Sequence, residues 1–348
     1  MNQNQIDVND PLKILIIRLS SIGDILLTTP FIRQIKNTFK KAQIDFVIKD
    51  IFKELVIENP NLDNVYILKQ LDGKQDLKRL KDQLTMFSYD IIFDLHNNIR
   101  SNYLKKSLKA KIKRTIKKNK LEQFFLVHCK KDIYKNSVSI PDRYLAVAVD
   151  FRVVDDGKGL EFFWKKESEK AAKKIAETAG LNINIPYICL APGAGFFTKR
   201  WPIEYFKETV KKIEQQLQYQ IVVLGDKKEE ELGRILRASG SAFDLTGKLS
   251  LTETGILLSL GSALISNDSG LMHMATAVNT PVVAIFGSTV RQLGFFPYRG
   301  RSVVIENKRL HCRPCSHIGR HKCPKKHFRC MREILPEQVF TELHGLIQ

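Results

Sequence analysis

LISNDSGLMHMATAVNTPVVAIFGST, residues 264–289, carries a strand, a tight polar turn, a short helix and a second strand in fewer than thirty residues. Ala263 to Ser266 reads as a short buried strand, and Asn267-Asp268-Ser269-Gly270 has turn and N-cap chemistry. Leu271 to Ala277 reads as a helix closed by Asn279-Thr280-Pro281, and Val282 to Phe286 as the next apolar strand. This is a βαβ unit, and ligands of open parallel sheets bind beyond the carboxyl ends of such strands. The turn 268–270 is therefore expected to face a crevice. Backbone N–H groups at a helix N-terminus hold phosphate oxygens there, with Asp268 and His273 in reach of the same phosphates or of neighbouring hydroxyls, which points to a nucleotide-linked ligand. The plainer reading makes Asp268 or Ser269 a helix cap and His273 a packed, half-buried histidine.

Upstream, the same alternation recurs. Lys13 to Arg18 is an apolar strand followed by the turn Leu19-Ser20-Ser21-Ile22-Gly23-Asp24 and a helix expected from Ile25 to Lys40. The turn lacks GxGxxG, which argues against a dinucleotide site of the usual kind. Strands follow at 43–48, 65–67 and 90–95, helices at 53–58 and 75–87, and a further helix at 142–151. The polar, glycine-rich stretch Asp155-Asp156-Gly157-Lys158-Gly159 is the best linker. Beyond it, strands at 187–191, 220–224 and 243–245 alternate with helices at 168–179, 203–216, 228–239 and 251–260, and the tail 336–347 is a last helix. The expectation is two doubly wound α/β domains.

The composition narrows the class. The 348 residues carry 56 Lys and Arg against 37 Asp and Glu, a net charge of +19, which suits a polyanionic partner such as an anionic membrane face, an acidic substrate or nucleic acid. No apolar run approaches the roughly 18 to 20 residues of a membrane span, and the N-terminus MNQNQIDVNDP is polar, so a cytosolic location is expected. Residues 104–120, LKKSLKAKIKRTIKKNK, hold eight lysines and one arginine and no acid. That run is either a solvated helix face or a docking patch. A nucleic-acid site would place aromatic residues among these charges, and the run has none.

Three loops of the second half follow strands: 192–200, 225–230 and 266–270. One sheet edge then brings together Lys199, the acidic run Glu229-Glu230-Glu231 and the DSG turn. A lysine and a helix N-terminus for a diphosphate, a carboxylate for ribose hydroxyls and glycines for close backbone approach make a nucleotide-sugar site.

Five ordered blocks, KILIIRLSSIGDILLTTPFIRQIK from residue 13, DLHNNIRS at 94–101, APGAGFFTKRWPIEYF at 191–206, LTGKLSLTETGILLS at 245–259 and the opening stretch, resemble the glycosyltransferase family of the ADP-heptose:lipopolysaccharide heptosyltransferases. The resemblance implies a GT-B architecture, α/β with two Rossmann-like domains whose parallel sheets face across a cleft, and inverting transfer without a catalytic metal. It implies an acceptor-side domain over 1–158, a nucleotide-sugar domain over 159–330 and a C-terminal helix, 331–348, packing back toward the first. By position, Asp24 is the implied general base and Lys199 the donor-phosphate lysine. Gly195 offers backbone N–H groups, Glu229 binds ribose and Leu249 packs near the adenine. Asp268, Ser269, Gly270 and His273 surround the diphosphate and sugar. Arg18 and Arg100, at strand ends, are candidates for acceptor carboxylates or phosphates, with ordinary ion pairing as the alternative.

The implied substrates are ADP-heptose or a related nucleotide sugar and the acidic core of lipopolysaccharide. The enzyme would then sit peripherally on the inner face of the inner membrane, with no nucleic acid as partner. The rivals are a transferase of the same fold for another nucleotide sugar and, from another class, a basic nucleic-acid-binding protein. Cys312, Cys315, Cys323 and Cys330, spaced C-x2-C-x7-C-x6-C, are either a structural zinc site or reduced thiols packing a loop.

Overall fold

The computed structural model describes residues 6–69, 71–134 and 138–348, and the chain divides into two compact α/β units. The first comprises Met1–Lys118 and Ile140–Trp164. Its chain begins with β1 (Lys13–Ile17), α1 (Ile22–Leu26), α2 (Thr29–Thr38), β2 (Gln43–Lys49) and β3 (Asn64–Leu68). It continues through α3 (Lys74–Thr85), β4 (Tyr89–Asp94), α4 (Ile99–Ser107) and β5 (Ala110–Thr115). The strands form one parallel sheet in the order β3-β2-β1-β4-β5. Ile14, Leu15, Ile16 and Ile17 are all fully buried, as expected of a central strand covered on both faces.

The helix expected over 25–40 is two helices: α1 ends at Leu26, and Pro30, in the first turn of α2, has no backbone N–H to continue an earlier turn. The basic run is not one helix face either. After α4, Ala110–Thr115 pairs with β4 at the sheet edge, Ile91 opposite Ile112, and turns Lys111 and Lys113 to solvent. Lysines on an edge strand discourage pairing with another chain. Of the run's cations, Lys105 pairs with Asp94 at 3.2 Å, Lys111 with Asp90 at 2.8 Å and Arg114 with Asp150 at 3.0 Å.

A short helix, α5 (Lys120–Phe124), belongs to the second unit, and the chain returns to the first with α6 (Ile140–Leu145). The stretch 155–159 is bound into the first unit. Arg33 grips Asp156 with two hydrogen bonds of 2.7 and 3.0 Å and also donates to Gly159 O at 3.2 Å. The change of unit falls at Trp164–Lys165, beyond the glycine-rich stretch.

The second unit comprises Asn119–Ser139 and Lys165–Gln348. Its elements are α7 (Lys166–Thr178), β6 (Tyr187–Ala191), α8 (Ile203–Gln216), β7 (Gln220–Val223), α9 (Glu230–Ala238), β8 (Phe243–Asp244) and α10 (Leu251–Leu260). There follow β9 (Ala263–Asn267), α11 (Gly270–Ala277), β10 (Val282–Phe286), β11 (Ser302–Glu306), α12 (Arg329–Arg332) and α13 (Pro336–Ile347). Six parallel strands lie in the order β11-β10-β9-β6-β7-β8. The terminal helix α13, expected to return toward the first domain, packs on this sheet. Its stripe Val339, Phe340, Leu343 and Leu346 enters one core with Ile188, Ile265 and Ile285. No helix among the described residues is long and apolar enough to cross a membrane.

Candidate active site

In the first unit, the turn after β1 gathers a charged centre. Ser21 caps α1, and Asp24 is the third residue of that helix: its Oδ2 accepts from Ser21 Oγ at 2.7 Å and from Ser21 N at 3.3 Å. Asp24 Oδ1 pairs with Arg18 at 2.7 Å. Arg18 in turn donates to Ser20 O at 2.8 Å and to Leu95 O at 2.7 Å, and its guanidinium lies 5.8 Å from the centre of the Tyr144 ring. The parallel pairing of Ile17 with Asp94 is what sets Leu95 beside Arg18. Arg18, expected to meet the acceptor, is the residue that holds Asp24.

His96 was not singled out from the sequence, although it sits in the DLHNN turn at a strand end. Asp94 Oδ1 accepts the N–H groups of His96 and Asn97 at 3.0 and 2.8 Å and so shapes that turn. Burial, with the Arg18 charge adding to it, pushes the His96 imidazole down to about 4, so the ring is neutral at physiological pH. Its Nδ1 is buried and has no hydrogen-bond partner among the described residues. Arg100 is exposed on the second position of α4. Burial and the charge of Arg100 together depress the ammonium of Lys49.

In the second unit, the carboxyl ends of β6, β7, β9 and β10 form one edge. Asn267, fully buried at the end of β9, fastens the loop after β6 at two points: Nδ2 donates to Pro192 O at 2.7 Å and Oδ1 accepts from Trp201 N at 3.0 Å. Between those anchors, Lys199 reaches Asp268 at 2.7 Å, and Asp268 Oδ2 also accepts from Thr289 Oγ1 at 2.6 Å. The sequence offered Asn267 only as turn chemistry and gave Thr289 no role; the register of β9 against β6 and β10 gives them these partners.

The plain capping role for Asp268 is not what the structure shows, since its carboxylate serves Lys199 and Thr289. Its backbone N–H is not available to a phosphate either, for it donates to Ile285 O at 3.2 Å. Ser269 occupies the N-cap position of α11, its Oγ 3.1 Å from Ser266 Oγ, and Gly270 opens the helix. His273 lies on the same helix, only 3% exposed.

Only one acid of the run 229–231 faces the loop after β6. Glu229 accepts from Asp226 N at 3.1 Å, and its carboxylate occupies the space beside Gly193 that a side chain would fill; a Cβ on Gly225 would also come within 2.6 Å of it. Burial raises its carboxyl above the usual range, with Asp226 N–H acting in the other direction. Glu231 turns to solvent and pairs with Arg234. A Cβ on Gly195 would meet nothing within 4 Å, so the backbone there is open to a ligand. Leu249 is half-buried in the turn before α10.

The four clustered cysteines line one cavity of ≈ 220 Å³ with His327, Lys130 and Arg320. Cys312 Sγ is 3.9 Å from His327 Nε2, and among the described residues no group of three or more His, Cys, Asp or Glu is placed to hold a metal ion. Burial pushes the Cys330 thiol up to about 12 and raises Cys315 as well.

Two Rossmann-like parallel sheets, one in each unit, are the GT-B fold class. The chain belongs to glycosyltransferase family 9 (heptosyltransferase), whose profile matches residues 77–326. It is 27% identical to lipopolysaccharide heptosyltransferase 2 of Salmonella typhimurium, over 97% of this chain and 99% of that protein. In fold it is similar to a family 9 glycosyltransferase from Veillonella parvula, at a TM-score of 0.81 and 23% identity, covering 97% and 98% of the two chains. It is similar also to the E. coli ADP-heptose lps heptosyltransferase II, at 0.75 and 21%, with the same coverage. The family match spans the basic run 104–120, which places that run inside a transferase.

Proposed function

We propose that this glycosyltransferase moves a heptose from ADP-heptose onto the acidic inner core of lipopolysaccharide, the first unit serving the acceptor and the second the donor. The observation that carries the reading is the Lys199–Asp268 pair beside the first turn of α11, a fixed ammonium next to backbone N–H groups that together neutralise a diphosphate. In this reading Glu229 accepts from the ribose hydroxyls, Leu249 packs on the adenine and the backbone at Gly195 closes on the phosphates. Asp268 holds the lysine until the donor arrives and then, with Ser269, Gly270 and His273, meets the diphosphate and sugar.

Transfer is a single displacement. The acceptor hydroxyl oxygen attacks the anomeric carbon, its proton passes to Asp24, and the bond from that carbon to the diphosphate oxygen breaks as ADP leaves toward Lys199. The sugar is thereby inverted. Arg18 keeps the Asp24 carboxylate in place, and Arg100 with Lys49 offers cations to an acidic acceptor. No step passes through a metal, and stoichiometric zinc in the purified chain would overturn the reading of the four cysteines as packed thiols.

The decisive experiment offers the enzyme ADP-heptose and other nucleotide sugars with a core acceptor and reads the product mass. Transfer from another nucleotide sugar and not from ADP-heptose would put the same-fold rival in its place. The exposed lysines at 106, 109, 113 and 117 suit an anionic membrane face. Co-sedimentation with anionic but not neutral vesicles, weakening with salt, is the outcome expected, and equal binding to both would remove the membrane from the proposal.

A further inference from the structure

The cysteine-rich stretch 310–330 has no task in the chemistry above, yet it is tied to both loops that carry the donor-side charges. Arg320 N donates to Thr198 Oγ1 at 2.8 Å and Arg320 O accepts from Thr198 N at 3.1 Å, so a reciprocal pair of bonds grips the residue next to Lys199. Beside it Phe197 stacks on Phe328 with ring centres 4.7 Å apart, and Phe196 lies 5.3 Å from the His321 ring. Gly319 has φ +114°, and a Cβ there would fall 2.6 Å from Phe196, so both the backbone and the close approach require glycine.

The other end of the stretch grips the loop after β10. Cys315 N donates to Ser288 O at 3.3 Å. Arg313 donates to Gly287 O and, at 2.8 Å, to Thr289 O, while its own charge is met by Glu306 at 2.7 Å. Thr289 is the residue whose hydroxyl holds Asp268. The stretch thus has one grip on the lysine side of the pair and one on the aspartate side.

We propose that residues 310–330 form a clamp that positions the Lys199–Asp268 pair for the diphosphate, with Thr198 and Arg313 as its positioning residues. The proposal rests on the reading of Lys199 as the donor-phosphate lysine. A cation on an untethered loop would have to be ordered as the ligand binds, whereas a clamped one is ordered beforehand, and affinity gains by the difference. The four cysteines line one cavity together with Thr198 and Ser288, the residues that the two grips hold.

Titration calorimetry with ADP on the full chain tests this. Thr198→Val keeps the shape but removes the oxygen that receives the Arg320 N–H, and ADP affinity is expected to fall about tenfold, the scale of one buried hydrogen bond. Thr198→Ser should restore it. Arg320→Ala removes an exposed side chain that donates to Cys315 O at 2.7 Å and should weaken ADP about two- to threefold. Lys199→Ala is the control. If it weakens ADP while Thr198→Val does not, or if Thr198→Val lowers only the melting temperature, the clamp is overturned and the donor site stands. If Lys199→Ala leaves ADP binding intact, the donor-site reading falls and the clamp with it. Should Thr198→Val fail to fold, unchanged ADP affinity in Arg320→Ala overturns the proposal.

Discussion

In the first unit a guanidinium holds a carboxylate, whereas in the second a carboxylate holds an ammonium: Arg18 to Asp24 and Asp268 to Lys199, each at 2.7 Å and each beyond the end of a parallel strand. The side chains of Asp24 and Arg18 are 23% and 12% exposed, and those of Lys199 and Asp268 are 16% and 5%. In both pairs the group assigned the chemistry is the more exposed member, and the holder lies deeper, fixed by further hydrogen bonds. Arg18 has Ser20 O and Leu95 O, and Asp268 has Thr289. On the mechanism proposed above, like geometry serves opposite ends: a base for an acceptor proton in one unit, and a cation for a leaving phosphate in the other.

The most severe way to break this symmetry is Asp24→Asn. The amide keeps an oxygen for Ser21 but accepts no proton, so turnover is expected to fall by roughly 10²- to 10⁴-fold, the range of a positioned general base. ADP affinity, belonging to the other unit, should not change. Substantial retained turnover in a steady-state assay would return Asp24 to the role of a helix-terminus residue in a capping box.

Lys199→Ala should reduce ADP affinity by roughly ten- to a hundredfold, the worth of one or two charge-assisted hydrogen bonds. From sequence alone the lysine has no partner to lose in the empty protein. The structure gives it one: removing Lys199 strands a buried carboxylate, which costs up to about 3–5 kcal/mol when such a pair is broken on one side. The double variant Lys199→Ala with Asp268→Asn should therefore recover the melting temperature and not the affinity. Recovery of neither would show that the pair is not the source of the instability.

Arg18→Lys tests the holder in the first unit. A lysine keeps the charge but not the planar fork that reaches Asp24, Ser20 O and Leu95 O together. We expect kcat to fall about tenfold, one to two kcal/mol of lost positioning, with the donor KM unchanged. A rise in acceptor KM at constant kcat would instead restore the acceptor-contact role expected from the sequence.

These pairs were half legible beforehand. The DSG turn, the loop after β6 and the SSIGD turn announce themselves through glycine, serine and aspartate at strand ends, and periodicity alone places most strands around them. The partners were not legible because strand register brings them in: Leu95 reaches Arg18 through β1–β4, and Thr289 reaches Asp268 through β9–β10, within the opening βαβ unit itself. β5 was hidden for a local reason. In KIKR the alternation of strand periodicity is carried by lysines, so it reads as charge. β11, Ser302–Glu306, holds a short apolar run between polar neighbours that does not separate strand from loop. The terminal helix showed its apolar stripe but not the surface that receives it.

The smallest and most discriminating effect is on pH dependence, where the two units carry buried groups of opposite sign. The neutral imidazole of His96, held down to about 4, has a folded value below its unfolded value near 6.5. As pH falls from 6.5 toward 4 the unfolded state takes up a proton that the folded state refuses, so stability contributed by His96 above pH 6.5 is lost across that window. Glu229 is the reverse. Its folded value is raised, so the folded state binds the proton first, and this group adds stability as pH falls through that raised value and withdraws it above. Mild acid should therefore weaken the surroundings of His96 while it relieves those of Glu229. His96→Gln, neutral at every pH, should flatten the acid side of the melting curve between pH 6.5 and 4 by about 1 kcal/mol, allowing for the ring's partial exposure. Glu229→Gln removes the cost of desolvating a carboxylate, so it should raise the melting temperature slightly at pH 7 and weaken ADP binding a few-fold, about 0.5–1 kcal/mol, through the ribose. The two variants shift the pH–stability profile in opposite senses. If both move it the same way, or if Glu229→Gln lowers the melting temperature at pH 7, then the capping bond to Asp226 N–H outweighs burial at Glu229, and the contrast between the units is one of position and not of charge.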